Sequence, residues 1–250
     1  MNQNIVLHFP SSYVLATHIA ELQAANPDVF LVNGKKNSLC IAEKNYAFDE
    51  IEAIEIHFPE SLTPLYRQFL AICQKNENYR LEFAPQKINL IMGTSALIGL
   101  LTFAVLGSIY AWLAKTKKGN GYSETTPYIF KDENGKTFFK EADASFISFE
   151  DCPEEKQNKW LGKPIPVPPT LVIEIVSTKK GTKTAIFKME NIWMRFGSKI
   201  GLVICPFTET IYVFEKDKKY EQSIYIPFTH PDLDGYQGDF SNEVRKIMGK

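Results

Sequence analysis

The sequence predicts an α/β domain built on a mixed β-sheet and preceded by a small α+β module. A run of apolar, mostly β-branched residues, Leu171–Val176, follows two prolines and precedes the turn residues Thr178-Lys-Lys-Gly181. Near-continuous apolarity over this length is typical of a strand buried on both faces of a sheet. Helical patterns that begin near Ser95 and Thr184 supply helices to flank that sheet.

Glu174 is the single carboxylate inside the apolar run. Because side chains alternate along a strand, Glu174 shares one face with Val172 and Val176 and points into a covered surface. Burying an unpaired carboxylate is costly, so Glu174 is expected to meet a cation, a metal ion or a hydrogen-bond network. A purely structural ion pair is the alternative that the sequence leaves open.

Composition limits the function classes that suit this chain. The 250 residues carry a formal net charge of −1 and are 44% hydrophobic, which argues for a folded protein. A net charge near zero provides no general attraction to nucleic acid or anionic membrane, so any polyanion site has to be local. The cysteines form no C-x-x-C pair and are interpreted as reduced thiols of a cytoplasmic protein: Cys40, Cys73, Cys152 and Cys205.

Residues 1–75 are predicted to form a small α+β accessory module. Short strand patterns alternate there with two helical patterns, and none has the spacing of a catalytic motif. The polar stretch Gln74–Asn78 is the predicted boundary, after which residues 78–250 form the main domain. The module leaves room for a protein partner, and the sequence leaves a homodimer open.

The segment between Lys87 and Lys115 contains 27 residues without a charge. That length exceeds the roughly 20 apolar residues needed to cross a bilayer. Because Gly93-Thr-Ser95 interrupts the segment, and glycines and hydroxyl side chains recur after it, we expect a helix of the protein core. The alternative is a membrane anchor through residues 88–114, which would make the protein inner-membrane associated.

The order of the later segments resembles the Uma-two family, whose members are assigned as nucleases in the PD-(D/E)XK restriction-endonuclease-like superfamily. The string Pro168-Pro-Thr-Leu-Val-Ile-Glu-Ile-Val-Ser177 is similar to the family's central strand, and Asp143 matches the acid that opens the preceding strand. Lys188, fourteen residues after Glu174, matches a lysine on the next helix. The resemblance covers about residues 78–248.

Three departures from the family pattern accompany this resemblance. Ala142 stands where the family usually has proline, and Thr170 stands where it usually has aspartate. One extra residue lies between Lys188 and Gly197. The lysine position common in the superfamily, two residues after the strand acid, holds Val176, so the lysine's role depends on Lys188.

The resemblance implies a restriction-endonuclease-like fold and a Mg²⁺- or Mn²⁺-dependent endonuclease acting on DNA. Asp143, Glu174 and an earlier acid, Glu82, would hold the metal, because hard cations take carboxylate oxygens. Lys188 would orient or deprotonate the attacking water. Nearby lysines would contact the nucleic acid: Lys179, Lys180 and Lys183. The alternative is a non-catalytic binding or interaction protein on the same fold.

Overall fold

The computed structural model describes residues 5–11, 15, 17–35, 37–43, 53–76, 79–84, 86–91 and 96–249. The chain forms two compact units. The first comprises Met1–Gly93 with Lys131–Phe139, and the second comprises Thr94–Phe130 with Lys140–Lys250. Part of the predicted boundary, residues 77–78, and the expected helix start at Ser95 lie outside the described residues.

The first unit contains two antiparallel three-stranded sheets and two helices. The first sheet has the order β1-β3-β2, from strands β1 (Ile5–His8), β2 (Val29–Gly34) and β3 (Ser38–Glu43), with helix α1 (Ile19–Ala25). The second sheet has the order β4-β6-β5, from strands β4 (Ala53–His57), β5 (Arg80–Ala84) and β6 (Lys87–Ile91), with helix α2 (Tyr66–Lys75).

These two sets of elements are copies of one βαββ pattern with the same strand order. The sequence His-Phe-Pro follows the first strand pattern of each copy, at His8-Phe-Pro10 and at His57-Phe-Pro59. Asn26 at the end of α1 exchanges two hydrogen bonds with the backbone of His57, at 2.7 and 2.8 Å. Asn76 at the end of α2 does the same with His8, at 2.8 and 2.7 Å. The first unit is therefore an internal repeat whose halves exchange reciprocal hydrogen bonds.

The repeat gives a physical reason why this unit extends beyond the predicted boundary at residues 74–78. Strands β5 and β6 were expected to open the main domain, but they pair with β4 and complete the second copy. Without β5 and β6, β4 would have no hydrogen-bonded neighbour in its sheet, since β4 pairs with β6 and β6 pairs with β5.

The second unit is organised around a mixed six-stranded sheet, as predicted. Its strand order is β14-β13-β12-β11-β10-β7, and only the central pair β11 and β12 is parallel. The strands are β7 (Gly119–Ser123), β10 (Ala144–Ser148), β11 (Leu171–Ile175), β12 (Ile200–Cys205), β13 (Thr210–Glu215) and β14 (Lys218–Ser223). A hairpin of β8 (Tyr128–Lys131) and β9 (Thr137–Lys140) precedes β10 in the chain, and its residues Lys131–Phe139 belong to the first unit. Short helices α4 (Glu154–Asn158) and α6 (Ser241–Met248) complete the unit.

Helix α3 (Ala96–Thr116) covers one face of this sheet. The buried side chains of α3 recur every three or four residues: Ile98, Leu101, Val105, Ile109 and Trp112. They pack against the odd-numbered residues of β11. The helix packs on the sheet along one side, while Phe103 and Tyr110 on its other side are exposed. Within the described residues α3 is the one helix that is long and apolar enough to cross a membrane, a test that core helices also pass.

Strand β7 contains Gly119-Asn-Gly121, a sequence that is typical of a loop. It forms instead an edge strand paired with β10. A Cβ atom at Gly119 would collide with the carbonyl oxygen of Ile147, and one at Gly121 would lie 3.2 Å from side chains of α3. The glycines permit close packing here, so they do not mark a turn.

The opposite face of the sheet carries helix α5 (Thr182–Lys188), which begins two residues before the predicted Thr184. A π-helical turn, Met189–Met194, continues it. Hydrogen bonds between residues five apart define this turn, including Ser198 N to Trp193 O at 3.0 Å. Because a π-helix holds more residues per turn than an α-helix, this turn accommodates the extra residue before Gly197.

Candidate active site

Glu174 lies in the middle of the sheet, on β11 between β10 and β12. All five residues of β11 are buried, and Glu174 is only 6% exposed. Leu171 and Ile173 face the core beneath α3, so Glu174 points to the opposite face, toward α5. The structure thus confirms the predicted strand and the buried position of its carboxylate.

Each oxygen of the Glu174 carboxylate has its own hydrogen-bond donor. The ammonium of Lys188 donates to Oε2 at 3.0 Å and forms an ion pair with it. The indole N–H of Trp193 donates to Oε1 at 2.6 Å. Lys188 also donates to the backbone carbonyl of Glu141 at 2.8 Å, which fixes the ammonium between β11 and the residues that precede β10.

Asp143 lies beside this cluster, directly before β10. Antiparallel pairing places Ala144 opposite Ile173, so Asp143 comes next to the end of β11. Its Oδ2 accepts a hydrogen bond from the backbone N–H of Ile175 at 2.6 Å. The structure therefore brings together Asp143, Glu174 and Lys188, three of the four residues to which the family resemblance assigned catalysis.

The electrostatics of Glu174 reflect this crowded site. Burial raises the pKa of Glu174 to about 7, and the neighbouring charge of Asp143 acts in the same direction. The charge of Lys188 and the hydrogen bonds from Lys188 and Trp193 lower the pKa but do not cancel the desolvation. A carboxyl group that changes charge near neutral pH is characteristic of functional sites, although structural ion pairs produce such shifts too.

Glu82 belongs to the first unit. It is a buried residue of β5, in the second sheet of the first unit, where its register partner is Asn89. Asp143 and Glu174 belong to the second unit. A metal-binding role for Glu82 stays a prediction from the family resemblance.

The three lysines expected to contact nucleic acid lie around the beginning of α5. Lys179 and Lys180 precede the helix, Lys183 is on its first turn, and all three are exposed. Lys188 differs from them because its side chain is only 22% exposed and reaches the sheet. The lysines around the start of α5 thus face solvent, whereas Lys188 at the end of the helix is directed at the buried Glu174.

The carboxylates suit a hard divalent cation, although they are few. Within the part of the chain that the structure describes, no group of three or more His, Cys, Asp or Glu side chains is placed to hold a metal ion. Asp143 and Glu174 offer two carboxylates from neighbouring strands. Mg²⁺ usually retains several waters and needs only one or two protein carboxylates, so this pair fits such an ion.

Trp193 is the residue of this cluster that sequence reasoning missed. It lies five residues after Lys188, a spacing that places two side chains on different sides of an α-helix. Only the π-helical turn directs both residues toward Glu174. The extra residue before Gly197 was the available signal.

A mixed sheet flanked by helices, with two acids and a lysine at its centre, is the arrangement of a restriction-endonuclease-like protein. The family model for Uma2, described as "Putative restriction endonuclease", matches residues 66–235, and the chain belongs to this family.

Among solved structures, the chain is similar in fold to one titled a "putative nuclease belonging to DUF820" from Anabaena variabilis. It is 14% identical, with a TM-score of 0.57, and the alignment covers 72% of this chain and 99% of the other. No curated protein matches the sequence.

Proposed function

We propose that this protein is a metal-dependent endonuclease that hydrolyses phosphodiester bonds of DNA. The observation that carries the proposal is the convergence of Asp143, Glu174 and Lys188 at the centre of the mixed sheet. Membership of the Uma2 family supports the nuclease class. Four free cysteines, all within the described residues, support the proposed cytoplasmic location.

Asp143 and Glu174 would hold a Mg²⁺ or Mn²⁺ ion. When bound, such an ion offsets charge on the phosphate and lowers the pKa of a coordinated water. The two residues are suited to this task because they extend from adjacent strands, and the backbone N–H of Ile175 orients Asp143. Ionisation of Glu174 is required for metal binding, so affinity should increase as the pH rises through about 7.

Lys188 would act on the water and on the phosphate. Its ammonium lies between Glu174 Oε2 and the carbonyl of Glu141, at 3.0 and 2.8 Å. A lysine held in this way can stabilise negative charge that develops on the phosphate, and can accept or donate a proton at the water. Its position on the helix replaces the strand position occupied by Val176, which is buried and apolar.

DNA would approach over the beginning of α5. Lys179, Lys180 and Lys183 are exposed there, and Phe187, one helical turn after Lys183, is 63% exposed. Lysines bind phosphates without sequence preference, and an exposed aromatic ring can stack on a base. These residues form a local site that can bind a polyanion, although the net charge of the whole chain is −1.

A second candidate function is non-catalytic binding on the same fold. The observation that favours it is the complete pairing of Glu174, whose two oxygens accept hydrogen bonds from Lys188 and Trp193. A buried ion pair of this kind can be purely structural. A homodimer, a protein partner for residues 1–75 and membrane association remain predictions.

Plasmid nicking tests the proposed function. Supercoiled DNA is incubated with purified protein and Mg²⁺ or Mn²⁺, with a chelator control and with the Glu174→Gln variant. The proposal requires metal-dependent nicking that the variant lacks. Binding of DNA without nicking, under all metal conditions, would favour the non-catalytic alternative.

A further inference from the structure

Trp193 is the fully buried member of the Glu174 cluster. Its indole N–H lies 2.6 Å from Oε1 of Glu174, whereas Lys188 contacts Oε2. A tryptophan has only this one polar group, so the hydrogen bond fixes both the ring and the carboxylate that accepts from it. The carboxylate therefore has one oxygen held by an uncharged donor and one held by the ammonium of Lys188.

Aromatic neighbours hold the ring of Trp193 in place. Tyr128 packs edge-on against it at a centroid distance of 5.4 Å and an angle of 89°, and Phe130 does so at 5.7 Å and 77°. Tyr128 is itself buried, and its hydroxyl hydrogen-bonds Ser145 on β10 at 2.7 Å. Ser145 is two residues from Asp143, so this chain of contacts ties the tryptophan to the strands of both acids.

The π-helical turn is what allows Trp193 to reach this position. Residues five apart lie about 140° apart around an α-helix, but they return to nearly the same side in a π-helix, whose hydrogen bonds join such residues. Lys188 and Trp193 are five apart, and the lysine Nζ lies 5.9 Å from the centre of the indole ring. The turn also packs closely on β12, because a Cβ at Gly201 would collide with the sulfur of Met189.

We infer that Trp193 is a positioning residue for Glu174, which holds Oε1 so that Oε2 is the oxygen presented to a divalent cation. The inference rests on the proposed metal-dependent function. A residue that hydrogen-bonds to a metal ligand orients that ligand, and loss of such a residue typically weakens metal binding by about 10- to 100-fold. Trp193 would thus act through Glu174 and touch neither metal nor DNA.

Trp112 provides a matched control within the same unit. It is also buried, and its indole N–H donates to a backbone carbonyl, that of Asp234, at 2.9 Å. Trp112→Phe and Trp193→Phe therefore remove the same group from similarly buried sites. Trp112 is on α3, which covers the face of the sheet opposite to Glu174.

Calorimetry with Mn²⁺ alone compares the wild type with these two variants. The expected result is a 10- to 100-fold weaker affinity for Trp193→Phe and unchanged affinity for Trp112→Phe. Wild-type affinity in Trp193→Phe would overturn the inference while leaving the proposed function intact. Absence of Mn²⁺ binding by the wild-type protein would overturn the proposed function and the inference with it.

An NMR measurement keeps the test independent of whether Trp193→Phe folds. The chain has three tryptophans, so a Trp112→Phe, Trp160→Phe double variant leaves one indole N–H resonance, that of Trp193. Adding Mg²⁺ should shift this resonance, because the carboxylate that accepts from it becomes a metal ligand. A resonance that stays in place at saturating Mg²⁺ would overturn the inference.

Discussion

Lys188 Nζ lies 3.0 Å from Glu174 Oε2, although the two residues are fourteen positions apart in the chain. Ile175, the last residue of β11, and Val176 after it are both buried and apolar, so neither supplies a cation to Glu174. The helix that follows supplies the ammonium instead.

Lys188→Ala is expected to separate metal binding from cleavage. Removing a positive charge beside the acids should leave Mg²⁺ or Mn²⁺ affinity unchanged or increase it. Cleavage should fall by about two to four orders of magnitude, the usual scale for losing an acid–base group. Calorimetry beside a plasmid-nicking assay measures both effects.

Lys183→Ala is the control for this variant, because Lys183 is exposed on the first turn of the same helix. Lys183→Ala should lose far less cleavage than Lys188→Ala, because Lys183 would share the phosphate contacts of the DNA with other lysines and does not reach Glu174. Full cleavage by Lys188→Ala would show that the lysine was assigned wrongly.

The stability of the protein should depend on the ionisation of Glu174. Its pKa is raised from 4.5 to about 7 in the folded state, so folding favours its protonated form. The resulting stabilisation is fully present below pH 4.5 and is lost as the pH rises through about 7. Relative to Glu174→Gln, which cannot titrate, the wild type should lose on the order of 1–3 kcal/mol across this range. Urea unfolding at several pH values tests this, and a constant difference between the proteins would refute it.

The reciprocal asparagines of the first unit should contribute comparably to stability. Asn26→Ala and Asn76→Ala each leave a strand-end backbone N–H and C=O without their side-chain partner, at His57 and His8 respectively. Each should lower the free energy of unfolding by about 2–4 kcal/mol. Asn33→Ala, an exposed position on β2, is the control and should change stability by less than about 0.5 kcal/mol. A small change in stability on substitution of either buried asparagine would contradict the stabilising role of the hydrogen bonds between the halves of the repeat.

DNA binding should depend on salt and on the lysines around the start of α5. Replacing Lys179, Lys180 and Lys183 by alanine should weaken binding to double-stranded DNA and flatten its dependence on salt. Fluorescence anisotropy at several salt concentrations measures both. No binding by the wild type at low salt, or binding that ignores salt, would remove DNA as the substrate.

The parts of the fold that were predicted from sequence are those with a strong apolar pattern. Strand β11 was recognised because a buried strand needs apolar residues on both faces, and the same pattern singled out Glu174. Strand β14, with the sequence KKYEQS, escaped notice because an edge strand can remain polar. Strand β7 is hard to recognise from sequence because its two glycines suggest a turn, whereas in the structure they permit close packing.

Other features depend on relations between distant segments. The first unit extends beyond the predicted boundary because the polar stretch near residue 76 divides β4 and α2 from β5 and β6, the pair of strands that completes their sheet. The repeated His-Phe-Pro was the signal that would have placed it. Trp193 was missed because an α-helical spacing was assumed where the chain forms a π-helical turn.

The most direct test of the proposed site is calorimetric titration of Mn²⁺ into the wild-type protein and into Asp143→Asn and Glu174→Gln, with plasmid nicking measured on the same samples. These substitutions keep side-chain shape while removing the charge that a hard cation requires. We expect both variants to lose metal binding and cleavage together. Wild-type metal binding by Glu174→Gln would contradict the proposal and would show that Glu174 serves only as one half of a structural ion pair with Lys188.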